Sequence, residues 1–318
     1  MILPIDTRHS RPLMTLLELL SSVRRVEVRT NRLVNDTMVG AYLSHFKGRG
    51  MDFEELREYI PGDEVRDIDW NVTFRMGRPF VKRFREEREL AMILAVDVSA
   101  SSTFGSLERS KREFAAEIAG TLAISASRSS DKVGLLLFSD QVELFLPPRK
   151  GRRHILRLLR EMLFFEPRHR KTNVPAALAF LNHVLHRRSI IFLLTDFLHT
   201  FGPSAQQPVA GRDIIQEIGL TNARHDLVCL HVHDPRESAL PSAGLLTIED
   251  AETDELLEID TTRTGVRKKF EEMNAERLAE LERAFQRAGV ETLRFSTSDS
   301  FAQTLQHFFE TRRGRRRG

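Results

Sequence analysis

Asp97, Ser99 and Ser101 stand within five residues, in Asp97-Val98-Ser99-Ala100-Ser101, directly after the apolar run Leu90 to Val96. One carboxylate and two hydroxyls are hard oxygen donors, and they suit a divalent cation such as Mg²⁺. A loop that leaves the carboxyl end of a buried parallel strand is also where open α/β sheets place ligands. Taken alone, the same residues read more simply as a helix cap followed by a polar turn. A metal site needs further donors. Asp196 follows the apolar run Ile190 to Thr195, and Thr172 precedes a helical opening at Asn173-Val174-Pro175. Singly, Thr172 reads as an N-cap and Asp196 as a loop carboxylate. Jointly the five form a constellation, because the carboxyl ends of neighbouring parallel strands lie side by side.

The elements that must position these residues alternate from Leu90 onward. Strands are predicted at Leu90 to Val96, Val133 to Phe138, Val142 to Leu146, Ser189 to Thr195, Asp226 to Val232 and Thr292 to Phe295. Between them, helical spacing marks Leu107 to Ser127, His154 to Phe165, Pro175 to Leu185, Asp213 to Thr221 and a long helix through Val266 and Phe285, with a short helix ending near Phe309. Val133 to Leu146 reads as one hairpin, and Gly244 to Ile259 as another. Fully apolar strands alternating with helices are the pattern of an α/β fold, a doubly wound and mostly parallel sheet covered on both faces.

Ahead of this lies a different kind of sequence. Leu13 to Tyr42 has helical periodicity, His45 to Phe53 and Pro61-Gly62-Asp63 are turn chemistry, and Arg78 to Phe84 reads as a short strand. The predicted organisation is a small N-terminal region over 1–88, the α/β domain over 89–310 and a basic tail over 311–318.

Composition limits the function classes. Cys229 is the sole cysteine of 318 residues, so neither an internal disulfide nor a thiolate metal cluster within one chain is available. The apolar runs are far shorter than a membrane-spanning helix, and no basic segment with an apolar stretch opens the chain, so a cytoplasmic protein is expected. The net charge of +3 comes from Arg312, Arg313, Arg315, Arg316 and Arg317, without which the balance is −2. Such a tail could hold nucleic acid, yet no aromatic platforms accompany it.

The five-residue constellation resembles the metal-ion-dependent adhesion site of von Willebrand factor A domains, in which Asp-x-Ser-x-Ser, a Thr and a later Asp share one Mg²⁺ or Mn²⁺. The block Arg57-Glu58-Tyr59-Ile60-Pro61-Gly62-Asp63-Glu64-Val65-Arg66-Asp67-Ile68-Asp69-Trp70-Asn71, with Val81-Lys82-Arg83-Phe84 and Asp234-Pro235, is similar to the signature of the bacterial domain of unknown function 58 family. The resemblance covers nearly the whole chain. It departs at Phe74-Arg75, where a small residue is expected before the Arg, and in the absence of the transmembrane helices of many longer relatives.

By that resemblance Asp97, Ser99, Ser101, Thr172 and Asp196 hold the cation. The protein is then a non-enzymatic adaptor that docks an acidic side chain of a partner, assisting a MoxR-type AAA+ ATPase or its client in assembly or activation. The enzymatic alternative is a Mg²⁺-dependent phosphatase, with Asp97 as nucleophile. Ser99 stands where such enzymes place a second Asp as general acid, and a hydroxyl serves that role poorly. No Gly-x-Ser-x-Gly elbow, His-Glu-x-x-His or Walker loop is present. Among other residues, the acidic block Asp63, Glu64, Asp67 and Asp69 is expected to be salt-bridged by neighbouring arginines, and Trp70 to anchor that block on the main domain. His231 and His233, two apart on a strand, face the same way without an evident third ligand.

Overall fold

The computed structural model describes residues 26, 28, 30, 51–86, 91–107, 109–198, 213–249, 251 and 256–314. Of the predicted N-terminal helix, Val26, Val28 and Thr30 are helical and the rest lies outside the described residues. Among the described residues six strands build the central sheet: β3 (Ala91–Asp97), β4 (Lys132–Phe138), β5 (Val142–Arg149), β6 (Ile190–Thr195), β7 (Asp226–His233) and β10 (Glu291–Ser296). Their order is β10-β7-β6-β3-β4-β5, and only the β4–β5 pair is antiparallel. Renumbered within the sheet this is the doubly wound order 3-2-1-4-5-6, whose direction of winding reverses between β3 and β6.

The strands are apolar because both faces are covered. On one side Met92, Leu94 and Val96 pack with Phe114, Ile118 and Leu122 of α2 (Lys111–Arg128), Leu158, Leu159 and Met162 of α3 (Arg152–Phe164), and Leu305 and Phe309 of α8 (Phe301–Gly314). On the other, Ile93 and Ala95 meet Leu178 and Leu181 of α4 (Val174–Val184), Ile218 of α5 (Ile214–Arg224) and Leu281 and Phe285 of α7 (Thr264–Arg287). The α/β doubly wound, mostly parallel architecture expected from the sequence is therefore the observed one.

Local boundaries follow capping chemistry. The helix expected from Leu107 begins at Lys111, because Ser110 accepts from Glu113 N–H while the Glu113 carboxylate accepts from Ser110 N–H. A short helix α6 (Pro235–Ser238) follows β7 and is capped reciprocally by Asp234 and Glu237. The hairpin expected after Gly244 is β8 (Leu245–Glu249) with β9 (Leu256–Asp260).

The N-terminal block is a hairpin of β1 (Met51–Glu58) and β2 (Phe80–Glu86), with α1 (Trp70–Met76) between them. Met51 to Phe53, expected in a turn, begin β1. Arginines bridge part of the acidic block as expected, Arg57 holding Asp63 at 2.6 Å and Arg66 holding Glu64 at 2.8 Å, whereas Asp69 pairs with Lys82 at 2.9 Å and also caps α1. Trp70 does not anchor the block. It is 65% exposed, and Phe74, one turn later on the same helix face, is 91% exposed. The basic tail also begins later than drawn. Arg312 lies in α8, pairs with Asp226 at 2.9 Å and with Glu291, and is not a free tail residue; residues 315–318 lie outside the described ones.

Candidate functional site

Asp97 closes β3, and Asp196 comes directly after β6. These strands are hydrogen-bonded neighbours, with Val96 opposite Leu194, so the two carboxylates meet at the reversal point of the sheet. Open α/β sheets bind ligands in the crevice at this point, where the flanking loops diverge to opposite faces. Three backbone hydrogen bonds tie the surrounding loops together. Val98 N–H donates to Phe138 O (2.9 Å), Ala100 N–H to Arg170 O (2.9 Å) and Asn173 N–H to Ser139 O (2.8 Å).

The first loop folds on itself. Asp97 Oδ1 accepts from Ser99 N–H at 2.9 Å, and the chain then enters a 3-10 turn over Ala100–Thr103. That arrangement sets Ser99 Oγ 3.1 Å from Ser101 Oγ, and Ser101 Oγ donates to Asp196 Oδ2 at 2.8 Å. Thr195 Oγ1 closes the ring by donating to Asp97 Oδ2 at 2.7 Å. Asp97, Ser99, Ser101 and Asp196 are thus brought into one buried polar cluster. Thr172 is buried in the adjoining loop, the one that Ala100 grips through Arg170 O. It is not the helix cap: Asn173 caps α4, its side chain accepting from Ala176 N–H at 3.0 Å. Neither does Asp97 cap a helix, since Ser110 performs that task for α2.

Two residues that sequence reasoning missed complete the electrostatics. Lys111, only 3% exposed, places Nζ 2.6 Å from Asp196 Oδ2 and also against Glu237. Arg277 of α7 donates to Phe197 O at 3.3 Å, just beyond Asp196. No local signal marks Lys111 as part of the site, because its carboxylate partners are 85 and 126 residues away. Thr195 was legible as a neighbour of Asp196, but its bond to Asp97 depends on strand pairing.

The carboxylates behave differently. Burial and then the charge of Asp196 push Asp97 up to about 7, against the smaller opposing pull of its hydroxyl and amide donors. For Asp196 burial acts upward too, yet Lys111 outweighs it and holds the group below the usual carboxylate range. Burial would lower Lys111, but Asp196 and Glu237 more than compensate and hold it above its ordinary value. Among the described residues Asp97 makes no ion pair, so a buried carboxylate is left facing a second one without its own counter-charge. Such a group favours a cation at the site. The donor chemistry fits a hard divalent ion: carboxylates and hydroxyls, with no cluster of three or more His, Cys, Asp or Glu among the described residues.

His231 and His233 share a strand face as expected, with ring centroids 5.5 Å apart. They join no such cluster among the described residues. No helix of the described residues is long and apolar enough to cross a membrane.

Comparison with known proteins adds relatives. An uncharacterized protein of Mycobacterium bovis is 28% identical over 298 residues, covering 93% of this chain and 90% of its own, and an uncharacterized protein of Mycobacterium tuberculosis matches equally. Among solved structures, BatB from Bacteroides thetaiotaomicron aligns at 14% identity with a TM-score of 0.45, covering 70% of this chain and 98% of its own. The von Willebrand A domain of SpRpn10 aligns at 11% identity with a TM-score of 0.36, covering 68% and 93%. The family model described as "Protein of unknown function DUF58" matches residues 55–280, a span that takes in the Pro-Gly-Asp block, β3 and every residue of the candidate site, and the chain belongs to that family.

Proposed function

We propose that this protein is a non-enzymatic adaptor that binds Mg²⁺ or Mn²⁺ through Asp97, Ser99, Ser101, Thr172 and Asp196 and docks an acidic side chain of a partner on that ion. The observation that carries the reading is the buried, unpaired Asp97 facing Asp196 across a ring of hydroxyls at the sheet's reversal point. Neutral hydroxyls neutralise a divalent cation only in part, so an ion held this way keeps affinity for one more carboxylate. The partner class, a MoxR-type AAA+ ATPase or its client, rests on the family resemblance. The phosphatase alternative is disfavoured by Ser99, which supplies a hydroxyl where a general acid is needed.

The test is affinity capture of a co-expressed MoxR-type ATPase by the full chain, in Mg²⁺ and in chelator, with wild type and Asp97→Ala. Capture is expected only for wild type with the metal. Capture that survives both chelation and the substitution would refute the docking role. Release of phosphate from p-nitrophenyl phosphate by wild type, lost in Asp97→Ala, would favour hydrolysis instead.

A further inference from the structure

Lys111 is an unusually placed charge. It is the first residue of α2, where the exposed N–H dipoles disfavour a cation, and it is almost wholly buried. Two independent costs therefore act against an ammonium at this position, and its carboxylate partners must offset both. The partners are Asp196, at the core of the candidate site, and Glu237 of α6, which lies outside it. Asp196 Oδ2 receives Lys111 Nζ at 2.6 Å and Ser101 Oγ at 2.8 Å, while Oδ1 receives Leu198 N–H at 3.1 Å. The oxygen turned toward the hydroxyl ring is thus already engaged by a positive charge.

We infer that Lys111 is a resident counter-cation that competes with a divalent ion for Asp196, so that it sets the metal affinity of the site and hands its charge to Glu237 when metal enters. The inference rests on the metal-docking reading and specifies how that site is regulated. Two like charges sharing one buried carboxylate repel strongly in a medium of low polarisability. Glu237 offers the displaced ammonium a second carboxylate without moving the α2 backbone. It is itself fixed, since its Oε2 accepts from Asp234 N–H at 2.9 Å and Asp234 in turn binds Ser106 N–H at 2.9 Å. Lys111 Nζ already touches both carboxylates, so on losing Asp196 it stays on a rigid acceptor outside the site.

The experiment titrates Mn²⁺ alone into the full chain by calorimetry, at fixed pH and salt, with the Mn²⁺-induced rise in melting temperature as a second readout. Lys111→Met removes the competing charge and is expected to tighten Mn²⁺ binding at least tenfold. Glu237→Gln removes the alternative acceptor and is expected to weaken it several-fold, and Lys111→Arg should stay near wild type. Equal or weaker binding in a folded Lys111→Met would overturn the inference. Should that variant fail to fold, unchanged or tighter binding in Glu237→Gln would overturn it.

Binding by wild type that is lost in Asp97→Ala but unaltered in Lys111→Met leaves the metal-docking reading standing and removes this one. Binding by Lys111→Met and not by wild type refutes the docking reading for the native protein, and with it the transfer to Glu237, and leaves Lys111 as the permanent occupant of the charge position. Absence of binding in both refutes the two together.

Discussion

Acidification should destabilise this protein through a residue of the sheet core, His231. It lies on β7 beside Phe197, with ring centroids 5.9 Å apart and His233 as its neighbour on the same face. Burial, then repulsion from His233, lowers His231 from an ordinary 6.5 to about 3. A histidine depressed in the folded state is neutral there while the unfolded chain takes up its proton. Its cost is therefore absent above about pH 6.5 and grows as pH falls, at about 1.4 kcal/mol per unit. At about pH 5 the sum is about 2 kcal/mol, a sizeable part of a typical stability of about 5–15 kcal/mol. The wild-type profile alone does not isolate this contribution, because Asp97, held up to about 7, gains stability on protonation and acts in the opposite sense. The comparison that does is His231→Phe against wild type, unfolded in urea and followed by far-ultraviolet circular dichroism. Between about pH 6.5 and pH 5 the difference in unfolding free energy should move by about 2 kcal/mol in favour of the variant. A difference that stays constant across this range would refute the assignment of a neutral, buried His231.

Two further outcomes can be checked in the same assay. Trp70→Ala and Phe74→Ala remove large side chains that are mostly exposed, so each should alter stability by no more than about 0.5 kcal/mol, and a larger loss would mean that the face is covered. Arg312→Ala severs the contacts to Asp226 and Glu291 and uncovers the Phe308 ring, 5.0 Å from the guanidinium, at an expected cost of about 2 kcal/mol, whereas an unstructured tail residue would cost nothing measurable.

Much of the domain was readable along the chain because its strands are buried on both faces. Leu90 to Val96 and Ile190 to Thr195 are continuous apolar runs, and no amphipathic helix gives that pattern. Capping was readable less well. Thr172 and Asn173 are both competent caps, and the choice between them depends on which backbone turns first into α4; the structure gives the task to Asn173, which leaves the Thr172 hydroxyl clear of it. Trp70 misled because a lone tryptophan suggests an anchor, while the composition of α1 does not say which of its faces meets a neighbour.

The sequence alone determined which residues carry oxygen donors at strand ends, since an apolar run followed by Asp or Thr is a local pattern. Only the tertiary structure decided which of those ends are adjacent. The pairing of β3 with β6 sets Asp97 against Asp196 over 98 intervening positions, and the start of α2 brings Lys111 between Asp196 and Glu237. Periodicity and spacing encode the direction of a side chain relative to its own element, whereas contact across the sheet depends on strand order and burial of the whole domain. The charge balance of the site, and with it the case for a cation, therefore belongs to the fold.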